Sequence, residues 1–205
     1  MVFSSALFVY VYLPVALGIY YAVPRKFKNG ALLALNLLFY GWGEPFYVVL
    51  LVLSTVCDYT CGKKIEENRG NQIIMKRYLL ISVLFNLGLL GWFKYYDFLA
   101  SQINRLVPVL PVFHITLPLG ISFYTFQTMS YTIDVYRNET PVQNSIVNFG
   151  MYVSLFPQLI AGPIVRYADI EKDIDTRKHG FDEFGKGVRR FLLGLSKKLI
   201  LANAL

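Results

Sequence analysis

The chain has 205 residues, of which 55% are hydrophobic and only 16% charged, and it carries a formal net charge of +7. Soluble domains carry about 25% charged residues, so the composition argues against a soluble globular fold. The positive charge does not point to nucleic acid either. The basic residues flank apolar runs rather than forming an aromatic-studded patch, which suits orientation in a bilayer and attraction to anionic lipid.

Residues 1–24, 106–133 and 140–165 contain no Asp, Glu, Lys or Arg. Roughly 20 apolar residues suffice to cross a bilayer as a helix, so the pattern predicts an all-α, polytopic membrane bundle. The buried strands of a soluble α/β fold would need shorter runs bounded by regular turns. Residues 1–24 lack the basic start and small-residue cleavage site of a secretory signal, and they read as a retained first helix.

A basic cluster follows at Arg25, Lys26 and Lys28. Residues 29–57 are apolar but interrupted at Gly41-Trp42-Gly43-Glu44-Pro45, where glycine and proline favour a turn. A long kinked helix and a hairpin of two short helices both fit that break. Lys63, Lys64, Arg69, Lys76 and Arg77 make the far end basic too. Since Lys and Arg stay on the cytoplasmic side, the hairpin is favoured. Cys57 and Cys61, four apart, share a helix face, but no second pair or nearby histidine completes a metal site. They read as small packing residues. Asp58 reads as the inner end of its helix, where full burial is unnecessary.

The apolar pattern resumes over 78–93 and runs to about residue 99, with Lys94 and Asp97 spaced to pair near a membrane surface. The connection with Arg105, Pro108 and Pro111 suits the outer face. Residues 117–136 return inward and end at Arg137. If 145–165 then crossed, nine of the chain's 20 basic residues, all within 166–198, would sit outside. Pro157, Gly162 and Pro163 offer another solution, a re-entrant segment that enters and leaves on the cytoplasmic side, since non-helical backbone is tolerated at depth only when covered by protein or lining a polar cavity. Val188, Phe191, Leu192, Leu195 and Leu199 recur at helical spacing, with Lys186, Arg190 and Lys197 on another face. An interfacial amphipathic helix and the start of a further buried helix both fit. No helix stop signal precedes Leu205, so 1–205 reads as a single membrane-embedded domain that is incomplete at its C-terminus.

Two blocks carry the polar chemistry. Within 117–137 stand Ser122, Thr125, Gln127, Thr128, Ser130, Tyr131, Thr132 and Asp134. A membrane helix this polar faces other helices or a wet cavity. Ser122, Thr125 and Gln127 are candidates for lining a substrate channel, and hydrogen bonding to neighbouring helices is the plainer use of each. Asp134 and Arg137, three apart, are spaced to pair on one helix face. In the second block, 156–167, Pro157, Gly162 and Pro163 free backbone groups, while Gln158 and Arg166 add side-chain donors that suit a passage for an acyl donor or a phosphate.

Together with Val2-Phe-Ser-Ser, the Gly41–Pro45 turn and Trp92-Phe-Lys-Tyr-Tyr, these blocks resemble signature segments of the membrane-bound O-acyltransferase family. The branch resembled contains the bacterial alginate O-acetylation proteins and their peptidoglycan-acetylating relatives, and the likeness covers essentially the whole chain. It implies a multi-pass enzyme of the bacterial cytoplasmic (inner) membrane. Acetyl groups would pass from acetyl-CoA or another activated donor toward hydroxyls of an exported polysaccharide, through extracytoplasmic partner proteins, with no bound cofactor. The family's catalytic histidine lies on a later segment. Neither His114 nor His179 matches its motif, so no catalytic residue is assigned and this stretch alone is expected to be inactive. A D-alanyl-transferring relative and a transporter or channel fragment are the alternatives, though a transporter should show an internal repeat.

Overall fold

The computed structural model describes residues 5–105, 107, 109–159, 163–177 and 180–202. Every regular element among them is helical. Gly162 and His179 lie outside the described residues.

The first helix runs from a π-turn at Phe8–Tyr12 into α1 (Leu13–Ala22), where Pro14 takes an early position that needs no amide donor. Val23 is extended, and a short turn at Arg25–Phe27 leads into α2 (Lys28–Gly43). The break expected at Gly41–Pro45 is present. α2 stops at Gly43, the Glu44 amide closes the last turn onto the Tyr40 carbonyl, and α3 begins at Val48 and runs to Glu67. α2 and α3 meet only sparingly, however, and a later helix packs against both.

Asn71 caps α4 (Gln72–Leu90) by accepting from the Ile73 and Ile74 amides. α4 continues through a π-turn at Gly91–Tyr95 into α5 (Tyr96–Asn104). The combined 33-residue helix is the one among the described residues that is long and apolar enough to cross a membrane. At 1.5 Å per residue it measures about 50 Å. Only 22% of its most apolar window is buried, with Ile73, Leu80, Leu84 and Leu87 left exposed. Such a surface is costly in water and natural in lipid.

The expected Lys94–Asp97 pair is replaced by a different contact. The Asp97 carboxylate accepts the Phe113 and Ile115 amides at 2.9 and 2.5 Å, which holds the extended loop around exposed His114. Backbone amides at fixed geometry satisfy both oxygens, whereas Lys94 lies over the Tyr95 ring at 5.5 Å.

α6 (Ile121–Arg137) packs against α3 and α4 to form the core. α7 (Ile146–Ser154) packs against α2 and α3, followed by α8 (Phe156–Leu159), α9 (Tyr167–Thr176) and α10 (Phe181–Ser196). Fully buried tyrosines dominate the centre: Tyr131 lies tilted against Phe149 at 4.4 Å and edge-on to Tyr167 at 5.0 Å, and Tyr152 meets Tyr167 at 5.3 Å. No residue of α10 is buried, and it continues as a π-helix over Lys197–Ala202.

Candidate functional site

The two polar blocks come together around a break in the backbone. α7 has nine residues, about 13 Å of rise against a bilayer core of roughly 30 Å. It stops where Leu155 turns to ψ 110°, and its residues 149–154 are all buried. The last carbonyls of any helix lack intrahelical donors, and here they belong to buried residues. Pro157 adds to the deficit by contributing no amide to α8.

Side chains from other elements supply the missing donors. Asn36 of α2, fully buried, donates to the Met151 carbonyl at 3.5 Å and accepts the Phe156 amide at the same distance, bridging the break on both sides. The Tyr152 carbonyl accepts from Gln158 Nε2 at 2.6 Å and from Gln127 Nε2 of α6 at 3.3 Å. Ser154 Oγ turns back to the Gly150 carbonyl at 2.7 Å. Gln127 and Gln158, two of the channel candidates, thus converge on one backbone oxygen.

A close backbone approach locks the blocks together. Gly120, at φ +75°, precedes α6, and a β-carbon there would sit 2.4 Å from the Leu159 carbonyl oxygen. Only glycine accepts that conformation and that proximity. At the other end of α6, Tyr131 Oη accepts the Gln143 amide at 3.0 Å, Gln143 Nε2 donates to Tyr167 Oη at 2.9 Å, and Tyr152 Oη donates to the Val165 carbonyl at 2.9 Å.

The acid–base pairing differs from expectation. Asp134 joins Arg166, not Arg137. The guanidinium forks onto the carboxylate, Nη2 to Oδ1 at 2.6 Å and Nε to Oδ2 at 3.2 Å, and Nη2 also reaches Glu139 at 3.1 Å. The Asp134 side chain is 4% exposed and Arg166 50%. Arg137 is exposed and lies 3.9 Å from Glu139, and Asn138 at φ +63° ends α6 just after it. Hydrogen bonding to Asp134, then its charge, then Glu139 hold the Arg166 guanidinium above its already high range.

Asp58 is a second correction. It is fully buried, accepting from Ser82 Oγ, from Asn86 Nδ2 at 2.7 Å and from Thr132 Oγ1 at 3.3 Å. Ser54 Oγ donates to Asn86 Oδ1 at 2.9 Å, so α3, α4 and α6 share one buried polar network. Its α4 members were detectable. Met75, Ser82, Asn86 and Leu90 fall on one face of the helix, and polar residues on the buried side of an apolar helix have a purpose.

Of the remaining candidates, Ser122 is half-buried in the first turn of α6, and Thr125 is fully buried with a hydroxyl that has no hydrogen-bond partner among the described residues. Pro163 lies exposed before the extended stretch leading to Arg166. Cys57 is half-buried and Cys61 buried, both as free thiols, and no group of potential metal ligands occurs among the described residues.

Over its whole length the chain is 37% identical to the probable alginate O-acetylase AlgI of Pseudomonas syringae pv. tomato and 39% identical to that of Azotobacter vinelandii, covering 40% and 42% of those proteins. It is 29% identical, over 99% of its length and 45% of the relative's, to the peptidoglycan O-acetyltransferase of Helicobacter pylori. The chain therefore spans well under half the length of these curated relatives. No family model matches it, and no solved structure does.

Proposed function

We propose that this chain, a homologue of the alginate O-acetylase branch of the membrane-bound O-acyltransferases along its entire length, forms the membrane-embedded front part of an O-acetyltransferase. As part of a longer protein it would pass acetyl groups from a cytoplasmic activated donor, such as acetyl-CoA, toward hydroxyls of an exported cell-surface polysaccharide. Partner proteins on the far side would complete the transfer. The whole-chain match to relatives named for O-acetylation carries this reading.

We take α4–α5 to cross the bilayer of the bacterial cytoplasmic membrane, α2 and α3 to enter and leave on the basic side, and α7–α8 to be re-entrant. A nine-residue helix whose carbonyls are capped by side chains suits that last role, since open backbone survives at depth only under protein cover or beside a polar cavity. The polar face of α6 beside this break would form one wall of the acyl passage, with Ser122 and Thr125 as its candidate hydroxyls.

The test uses membrane vesicles bearing the full-length protein and its exported acceptor, with radiolabelled acetyl-CoA on the cytoplasmic side. Acetyl label should appear in polysaccharide or in a partner protein. Label arising only from a D-alanyl thioester on a carrier protein would move the protein to the D-alanyl-transferring relatives, and no transfer from either donor would remove the enzymatic reading.

A further inference from the structure

The strongest unassigned feature is a cationic cavity at the basic end of α2. It encloses about 500 Å³ between the start of α2, the start of α7 and the end of α9, and its charged lining residues are Arg25, Lys26, Lys28 and Arg177. No carboxylate lines it or pairs with these four among the described residues.

Lys28 is the decisive residue. It is only 9% exposed, yet its ammonium makes no ion pair or hydrogen bond among the described residues. It is held over the rings of Tyr20 and Tyr21, at 4.5 and 5.2 Å. Cation–π contact offsets part of the lost hydration but leaves three N–H donors unused. The Lys28 stem is covered, and the ammonium opens on the cavity, where its donors are available to an anion.

The neighbouring groups are held in place by the fold. Arg25 donates to the Arg177 carbonyl at 3.0 Å, Arg177 donates to Asn29 Oδ1, and Asn29 Nδ2 bonds Asn148 Oδ1 at 2.9 Å. Two helix N-termini, those of α2 and α7, open on the same space and add partial positive charge.

The cavity adjoins an apolar one. Tyr20 and Arg177 line it together with a cleft of about 900 Å³ between α1 and α10, whose apolar walls include Leu13, Leu17, Val188 and Phe191. Asp173 and Glu183 line that cleft too, and Glu183 is paired with Lys186 at 2.8 Å. A ligand that fills both spaces needs a phosphate-bearing head and an acyl body.

We propose that this is a binding site for an anionic phospholipid, the phosphate headgroup seated against Lys28, Arg25 and Arg177 and an acyl chain lying between α1 and α10. Basic pockets beside membrane helices recognise such headgroups through the same charge-assisted bonds that hold other phosphates. The inference does not depend on the acetyl-transfer reading.

The test measures thermal stabilisation and native-mass lipid retention of the delipidated full-length protein on titration with phosphatidylglycerol, phosphatidylcholine or inorganic phosphate. Phosphatidylglycerol should stabilise and be retained, and the other two should not. Lys28→Gln should weaken it about tenfold, the effect of losing one charge-assisted contact. Arg25→Ala, at an exposed position, should weaken it in the same direction, while Lys172→Ala should leave it unchanged. Equal responses to phosphatidylglycerol and phosphatidylcholine, or full retention by both pocket variants, would overturn the site. Inorganic phosphate acting as strongly as the lipid would overturn the lipid assignment.

Discussion

The Tyr152 carbonyl has two side-chain donors, and that redundancy makes a sharp prediction. Gln158 Nε2 lies at 2.6 Å and Gln127 Nε2 at 3.3 Å. Replacing either glutamine by methionine keeps most of the volume and removes one donor. Gln127→Met should cost about 0.5 kcal/mol and Gln158→Met about 1 kcal/mol, near the net value of single hydrogen bonds. The double variant strands a buried carbonyl, whose desolvation penalty is about 1–3 kcal/mol beyond the lost bonds. The double variant should therefore exceed the sum of the singles by about 1–2 kcal/mol, a coupling of the size expected for residues in one network. Thermal unfolding followed by tryptophan fluorescence reads this directly, at about 2–4 °C per kcal/mol for a chain of 205 residues. If the double variant melts where simple addition places it, or higher, the glutamines do not cap the break.

Three further outcomes follow from the packing. Gly120→Ala should destabilise by at least about 2 kcal/mol, from left-handed strain together with the Leu159 clash, whereas Gly88→Ala, with no atom within 4 Å of the new carbon, should be neutral or stabilising by up to about 1 kcal/mol; paired melting curves compare them. Arg166→Ala strands a nearly buried carboxylate and should lower the melting temperature, an effect moderated by the half-exposed arginine, and adding Asp134→Asn should recover part of it in a double-mutant cycle. Asp58→Asn sets two amide donors face to face at a 2.7 Å contact and should cost about 1–3 kcal/mol; the exchange Asp58→Asn with Asn86→Asp should restore most of the stability, and no rescue would mean the pairing is mis-stated.

Local signals were legible in the sequence and distant partners were not. The Gly41–Pro45 break, the polarity of α6 and the interruption near Pro157 all follow from short-range backbone preferences, and each is present. Asp134 shows the limit. Two arginines were available, one three residues away and one 32 residues away. Spacing favours the near one, but Arg166 comes from across the fold to fork onto the carboxylate, and Arg137 stays exposed beside Glu139. Asp58 failed for the same reason, because its partners Ser82, Asn86 and Thr132 come from two other helices. Asn36 was unremarked for a subtler reason: its use exists only because α7 breaks, so its role is invisible until the break is placed against α2.

The polar residues of α6 were expected to shape a wet passage, and the structure sorts them into two sets. Gln127, Thr128, Thr132 and Asp134 are committed to neighbouring elements. Thr125 is not: its hydroxyl is buried and has no partner among the described residues. An idle buried hydroxyl is a standing cost, so Thr125→Val, which keeps the shape, should leave stability unchanged or raise it by about 1 kcal/mol. If the hydroxyl instead serves a substrate atom, the same change should lower acetyl transfer by the full-length protein roughly tenfold while the melting temperature holds or rises, since one hydrogen bond is worth about that factor. Gln127→Met should move both readouts together, because its amide supports the backbone. Unchanged transfer in Thr125→Val would assign this hydroxyl no part in the passage and leave Ser122 as the hydroxyl on that wall to be tested.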